Sequence, residues 1–170
     1  YSLPFVWAFG AEVTDEAGST WRFVGPEAEA ALGFLRRVVD ARVCPREEEV
    51  PQVAQDVGFL TGRVAMCVNG PWLQPFLDRT SLASRYRVLP MPRGPAGRAT
   101  RITWDGVVLR SGLPEGRRAR AVQLLRFLVS PAAQERVART GRALPALRRS
   151  ISAFTNADSL CDRRPFVDAL

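Results

Sequence analysis

Apolar residues recur at helical spacing in several parts of the chain. The clearest stripe follows Pro26, where apolar residues through Val39 fall on one helical face, with acids near the start and arginines towards the end. This order of charges suits the helix macrodipole. Ser130 is a suitable N-cap for another helix, which Gly141 ends. Helices are also predicted at about residues 51–60, 73–83, 114–129 and 131–140.

Other segments have the pattern of β-strands. The run Val64 to Val68 is continuously apolar, as expected for a strand covered on both faces, and Asn69-Gly70-Pro71 ends it. Further strands are predicted at Tyr86–Leu89 and Ile102–Leu109, and short extended pieces flank a turn at Asp15–Gly18. Helices and strands alternate along the chain, so the sequence predicts an α/β fold.

Trp72 lies directly after the predicted strand Val64–Val68. Pro71 suits the first turn of a helix, so Trp72 is predicted at a strand-to-helix turn. Ligands of open α/β sheets collect at the carboxyl ends of strands, which favours a binding role for Trp72. Large aromatic residues are also mostly buried, so a role as a cap on the core is the alternative.

Composition excludes several kinds of chemistry. The chain has no His, and all 24 of its basic residues are Arg, which excludes imidazole acid–base catalysis, zinc sites built on His and lysine Schiff bases. Cys44, Cys67 and Cys161 lack metal-binding spacing, so no metal site and no cofactor is predicted. Cys67 is expected to act as a small hydrophobic residue within its strand. A bridge between Cys44 and Cys161 is left open.

The positive charge is regional. Residues 93–149 hold 13 arginines and three acids, whereas residues 1–92 hold nine arginines and 11 acids. An Arg-rich nucleic-acid-binding module is therefore the alternative function. We favour a solvated basic helix face instead, because the arginines of the helix predicted at 114–129 flank apolar residues rather than exposed aromatics. The absence of Lys further indicates a coding bias towards Arg.

The chain is long enough to bury a core as a single domain, and no apolar stretch approaches the 18 residues of a membrane span. Its first residues, Tyr1-Ser2-Leu3-Pro4, are unlike a signal peptide and typical of the interior of a protein. We therefore expect the chain to be a piece of a longer protein.

An ordered set of motifs resembles one family, the extracellular solute-binding proteins of ABC importers, in the group that includes maltose-binding protein. Each motif is weak alone, but six in the family's order across nearly the whole chain form a specific match. The matching segments are 3–10, 25–28, 59–72, 88–92, 127–134 and 141–145.

The resemblance implies a type II periplasmic-binding-protein-like fold, in which a solute lies in a cleft between two α/β lobes. Residues 1–100 would belong to the second lobe, residues 101–145 would supply a hinge strand and helices that pack on the first lobe, and residues 146–170 would return to the second lobe. We therefore expect only the later portion of such a protein, without most of the first lobe and without the family's last helices.

The resemblance also implies ligand-binding residues. In the family, the Trp of the Asn-Gly-Pro-Trp motif stacks on a sugar, a role that carries over to Trp72, and Asn69 of the same motif joins the predicted set. Trp7 and Tyr1 lie where the family's opening aromatic segment approaches the cleft. A core position is the alternative for Trp7, because its surroundings are mostly apolar.

The segment Thr103-Trp104-Asp105-Gly106 departs from the family, in which glycines often occupy the corresponding positions. Trp104 is therefore predicted either to be another stacking residue or to narrow the cleft for a smaller ligand. Asp105 could accept hydrogen bonds from sugar hydroxyls, and stabilisation of the local turn is the alternative.

No enzymatic activity is predicted, because serines lack a His partner and the acids occupy helix starts and loops rather than facing pairs. The implied function is capture of an extracellular sugar or oligosaccharide and its delivery to the membrane permease of an ABC transporter. The implied location is extracellular or periplasmic, with a lipoprotein anchor on the full-length protein.

Overall fold

A computed structural model of the chain describes residues 2–45, 55–157 and 159–170. Two short 3₁₀ turns, Pro71–Leu73 and Arg148–Ser150, each lead directly into a helix. The helices are α1 Leu3–Ala8, α2 Pro26–Asp40, α3 Gln55–Leu60, α4 Gln74–Leu77, α5 Glu115–Leu128, α6 Pro131–Arg139, α7 Ile151–Thr155 and α8 Arg164–Val167.

The described residues divide into two compact units. The first unit holds the described residues up to Asn69 together with Leu89–Arg101 and Ala169, and the second holds Gly70–Val88, Ile102–Asp168 and Leu170. The predicted division at about residues 100 and 145, based on lobes, stays a prediction.

Helices α1 and α2 form the core of the first unit. Val6 and Ala31 are buried where these helices meet. The Phe34 ring lies 5.5 Å from Phe9 and 5.9 Å from Phe5, between ring centroids. Small alanines on α2 allow this close approach, so the apolar stripe predicted after Pro26 forms the packing face.

The turn predicted at Asp15–Gly18 is confirmed. The Asp15 carboxylate accepts hydrogen bonds from the backbone N–H groups of Ser19 at 2.7 Å and Thr20 at 3.2 Å. Hydrogen bonds from Ser19 to this carboxylate lower the pKa of Asp15. The flanking Thr14 and Trp21 form one antiparallel bridge.

Helices α6 and α7 pack together in the second unit, where Ala138 and Phe154 have no exposed surface. Ser130 caps α6 as predicted, since its Oγ accepts the Ala133 N–H at 3.4 Å. Gln134 links three segments, because its amide nitrogen donates to the Leu128 carbonyl at 2.8 Å and its oxygen accepts the Ala146 N–H at 2.7 Å.

The predicted strands are not formed. Residues 64–68, 86–89 and 102–109 lie in irregular backbone, and over the described residues the chain has no β-strand. A strand is stable only when its N–H and C=O groups pair with a neighbouring strand, and no such partner lies beside these segments in the described part of the chain. The pattern of apolar residues was therefore a poor guide to these segments.

One further helix prediction needs correction. The helix predicted at 73–83 ends at Leu77 and is followed by turns. Helix α5 forms as predicted, but none of its residues is buried, and Leu124 and Phe127 are more than half exposed. Residues 51–54 of the helix predicted at 51–60 lie outside the described residues, and the rest of it forms α3.

Candidate ligand-binding site

Trp72 lies on a short turn whose underside is buried. Pro71 opens the 3₁₀ turn, and the Leu73 N–H donates to the Gly70 carbonyl at 3.2 Å. Leu73 and Leu77 are 5% and 3% exposed, whereas the Trp72 side chain is partly exposed. We call residues 70–78 the Trp72 turn. Its packing holds the backbone on one side and leaves part of the indole accessible on the other.

Gly70 is required for the position of the Trp72 ring. The six-membered part of the indole lies against the Gly70 backbone, so that a Cβ atom at position 70 would overlap three ring carbons. The backbone of Gly70 is extended and not strained, with φ −101°. Any residue could adopt that conformation, and the reason for glycine is the close approach of the ring.

A polar cluster fixes the end of the Trp72 turn. The Tyr86 hydroxyl donates to Asp78 Oδ1 at 2.7 Å, and Arg163 Nη2 lies 3.7 Å from Asp78 Oδ2. Burial raises the pKa of Tyr86, and the hydrogen bond to Asp78 and its negative charge raise it further. Sequence reasoning missed Asp78, Tyr86 and Arg163 as parts of this site, because they are widely separated along the chain.

The Gln74 side chain is 2% exposed beside this cluster. Its amide is close enough to the Tyr86 hydroxyl to oppose the rise in pKa. The two groups do not meet in a hydrogen bond of normal geometry, and neither amide atom has a hydrogen-bond partner among the described residues. Gln74 is thus a buried polar group within the turn that carries Trp72.

Trp104 and Asp105 lie on an exposed segment. The Trp104 side chain is 88% exposed, and every residue from Ile102 to Leu109, which we call the Trp104 segment, is exposed. No ring contact joins Trp104 to Trp72 within the described part of the chain. Both residues are accessible to a solute, but the structure does not bring them together with Trp72.

Trp7 and Asn69 belong to the other unit. Trp7 is partly exposed on α1, between buried Val6 and Ala8. The Asn69 amide donates a hydrogen bond to the Asp56 carboxylate at the start of α3. Asn69 therefore supports its own loop. Tyr1 lies outside the described residues.

The exposure of Cys67 differs from expectation. Each of the three cysteines, Cys44, Cys67 and Cys161, has a free thiol. Cys67 is exposed rather than covered, because the apolar run around it lies in irregular backbone and not in a sheet. Neighbouring atoms still partly desolvate this exposed thiol, and this desolvation, together with the nearby Asp56 carboxylate, raises the pKa of Cys67. Among the described residues, no group of three or more Cys, Asp or Glu is arranged to hold a metal ion.

Two open pockets lie in the second unit, and neither is lined by a predicted ligand-binding residue. One, of about 380 Å³, is lined by Asp78, Ala83, Ser159 and Leu160. The other lies along α5 and has Arg118 and Arg126 in its wall. Neither of these two pockets therefore coincides with the predicted site.

Comparison with known proteins assigns the family. The family model for bacterial extracellular solute-binding proteins matches residues 1–159. The chain belongs to this family. No curated protein matches it.

Membership of the bacterial extracellular solute-binding protein family confirms the resemblance found in the motifs. It implies a periplasmic-binding-protein-like fold, a small-molecule ligand and the components of an ABC transporter as partners. Solute-binding proteins of this family are generally not catalytic. The assignment of segments to lobes stays a prediction.

No helix in the described residues of this solute-binding protein is both long and apolar enough to cross a membrane. Helix α5 carries a set of exposed arginines, and we interpret them as solvated surface rather than as a nucleic-acid interface, because the family binds solutes. These arginines are Arg117, Arg118, Arg120 and Arg126.

Proposed function

We propose that this solute-binding protein captures a sugar or oligosaccharide, and that Trp72 is its main stacking residue. One observation supports the proposal above all: the Trp72 ring is partly exposed on a turn whose underside is buried. The C–H face of a pyranose packs well on an aromatic ring, and a ring that is already fixed loses little conformational entropy on binding.

The other predicted residues have subsidiary roles. Asp105 is exposed and carries a carboxylate that can accept hydrogen bonds from sugar hydroxyls, next to Trp104 as a second apolar surface. Trp7, Asn69 and Tyr1 remain predicted members of the site. In the full-length protein, anchored as a lipoprotein, the bound sugar would pass to the permease of an ABC transporter.

The experiment is calorimetric titration of the full-length protein with a panel of mono- and oligosaccharides, followed by Trp72→Ala with the sugar that binds best. We expect the substitution to weaken binding by roughly 1–3 kcal/mol, or about 5- to 150-fold in Kd, through the loss of stacking area. Trp21→Ala is the matched control, because Trp21 is an exposed tryptophan outside the predicted site.

Two results would contradict the proposal. Equal affinity of wild type and Trp72→Ala would show that Trp72 does not stack on the sugar. No binding of any saccharide in the panel by the wild type would exclude sugars as the ligand class, and the family's other solutes would then be tested in the same way.

A further inference from the structure

We propose that Arg163 is a positioning residue for Trp72, acting through an ion pair with Asp78 at the end of the Trp72 turn. Any effect of this positioning of Trp72 on sugar binding rests on the proposed function. The positioning itself is a property of the protein alone and can be measured without a ligand.

Arg163 is a buried cation with few partners. Its side chain is 3% exposed, Nη1 donates to the Phe154 carbonyl at 3.4 Å, and the guanidinium carbon lies 5.5 Å from the centre of the Phe154 ring. Nε has no hydrogen-bond partner among the described residues. Since a buried charge is costly unless it is paired, the nearby Asp78 carboxylate has a large effect on where this side chain can lie.

The space for the guanidinium depends on Gly141. A Cβ atom at position 141 would overlap the guanidinium group, and Gly141 also has φ 71°, which favours glycine. The same glycine that ends α6 therefore admits Arg163. The position of Arg163 is set by α6, by Phe154 and by Asp78, which together leave it little freedom.

Both oxygens of Asp78 are engaged. Oδ1 accepts the Tyr86 hydroxyl and Oδ2 faces Arg163, while the Asp78 N–H donates to the Gln74 carbonyl at 2.8 Å. Asp78 directly follows α4, so these contacts fix the end of the Trp72 turn. At the other end, the Trp72 ring lies on Gly70. Loss of the ion pair would release one of these two attachments.

The next residue provides a matched control. Arg164 Nη2 lies 2.8 Å from Asp162 Oδ2, but this pair is exposed, with side chains 74% and 50% accessible. Exposed pairs contribute little to stability, whereas removal of one partner from a buried pair leaves an uncompensated charge. Arg164→Met therefore removes an equal charge from the neighbouring residue without affecting Asp78.

The test uses the full-length protein with Trp7, Trp21 and Trp104 replaced by Phe, and with any further tryptophan outside residues 1–170 replaced in the same way, so that Trp72 is the only fluorophore. Acrylamide quenching and emission wavelength report how accessible its ring is. We expect Arg163→Met and Asp78→Asn each to raise the quenching constant and shift the emission to the red. Arg164→Met should match the parent, and circular dichroism would establish that each variant is folded.

Unchanged quenching of Trp72 in folded Arg163→Met or folded Asp78→Asn would overturn the proposal. If Arg163→Met does not fold, Asp78→Asn decides the test, because asparagine keeps the shape of the side chain and an oxygen that can accept the Tyr86 hydroxyl. The double variant Arg163→Met/Asp78→Asn also lacks the ion pair but leaves no unpaired charge, so its quenching constant should stay above that of the parent and be no higher than that of either single variant. Independent, additive effects of the two changes would contradict the pairing.

The sugar-binding readout comes separately. With all tryptophans present, Arg163→Met should lower the affinity for the sugar identified by calorimetry. When Trp72→Ala is already present, Arg163→Met should lower the affinity no further. A protein that binds no sugar but shows the quenching changes would contradict the proposed function and support the positioning role. Weakening by Arg163→Met that is fully additive with Trp72→Ala would overturn the link between the two residues.

Discussion

The sequence supports the same prediction for the Trp72 turn and the Trp104 segment, namely a tryptophan next to the end or at a break of a strand. The two regions nevertheless differ in structure. Trp72 lies over Gly70 on a turn with buried Leu73 and Leu77, whereas Trp104 is 88% exposed on a segment with no buried residue. An aromatic residue near a binding surface is a fixed platform only if its backbone is held. The packing beneath the ring, rather than the ring itself, distinguishes the two.

The largest expected difference between the two regions is in the free energy of unfolding, and it is tested at the buried underside of the Trp72 turn. Leu77→Ala should lower the free energy of unfolding by about 2–5 kcal/mol, because the side chain is 3% exposed and its removal leaves a cavity. Val108→Ala, at an 87% exposed position of the Trp104 segment, should change it by less than about 0.5 kcal/mol. Urea denaturation measures both. Similar losses at the two positions would remove the distinction between the regions.

A smaller effect is expected from adding one methyl group beside each tryptophan. Gly70→Ala should cost about 1–3 kcal/mol, because the new Cβ forces the Trp72 ring to move. Gly106→Ala has open space around it and no unusual φ, so it should be nearly neutral. Near-UV circular dichroism would also change for Gly70→Ala only. An unaltered Gly70→Ala protein would mean that the ring does not rest on this glycine.

The smallest effect concerns Tyr86, whose hydroxyl supports the Trp72 turn. Tyr86→Phe should cost about 0.5–1.5 kcal/mol at neutral pH through loss of the hydrogen bond to Asp78. Because the pKa of Tyr86 is raised above the ordinary 10.0, the folded state favours the protonated phenol. This stabilisation is complete below the ordinary pKa of tyrosine and is lost as the pH rises above it towards the folded-state value.

Tyrosinate absorbance measures the ionisation of Tyr86 directly, because residues 1–170 hold only two tyrosines, Tyr1 and Tyr86. The more alkaline of their two titrations should be absent from Tyr86→Phe. Asp78→Asn should lower the pKa of Tyr86 towards 10.0 without reaching it, because burial, the largest cause, remains. Two titrations at the ordinary value in the wild type would show that Tyr86 is not held in the cluster.

The sequence was informative where a signal is local. Pro26, Ser130 and Pro71 each begin a helix or turn where predicted, because the caps and first turns of helices depend on neighbouring residues. Strand predictions at Val64–Val68 and Ile102–Leu109 were wrong for the described structure, because pairing depends on a partner that no local pattern reveals. The six motifs nevertheless identified the family.

The candidate site was predictable only in part. Trp72 stood out by its position after Asn69-Gly70-Pro71, and its partial exposure agrees with a binding role that remains a prediction. The support beneath it could not be foreseen, since Arg163 is 91 positions away from Trp72 in the numbering of the chain. Contacts of this kind depend on tertiary packing and leave no spacing to recognise.

The Gln134 amide that joins the Leu128 carbonyl to the Ala146 N–H has a consequence for the motions of the protein. No residue of helix α5 is buried, and the Gln134 amide is one of the contacts that hold its C-terminal residue, Leu128, beside α6. The helix can therefore open as a local unit while α6 stays closed, and its amide hydrogens should exchange with solvent well before those of its neighbour.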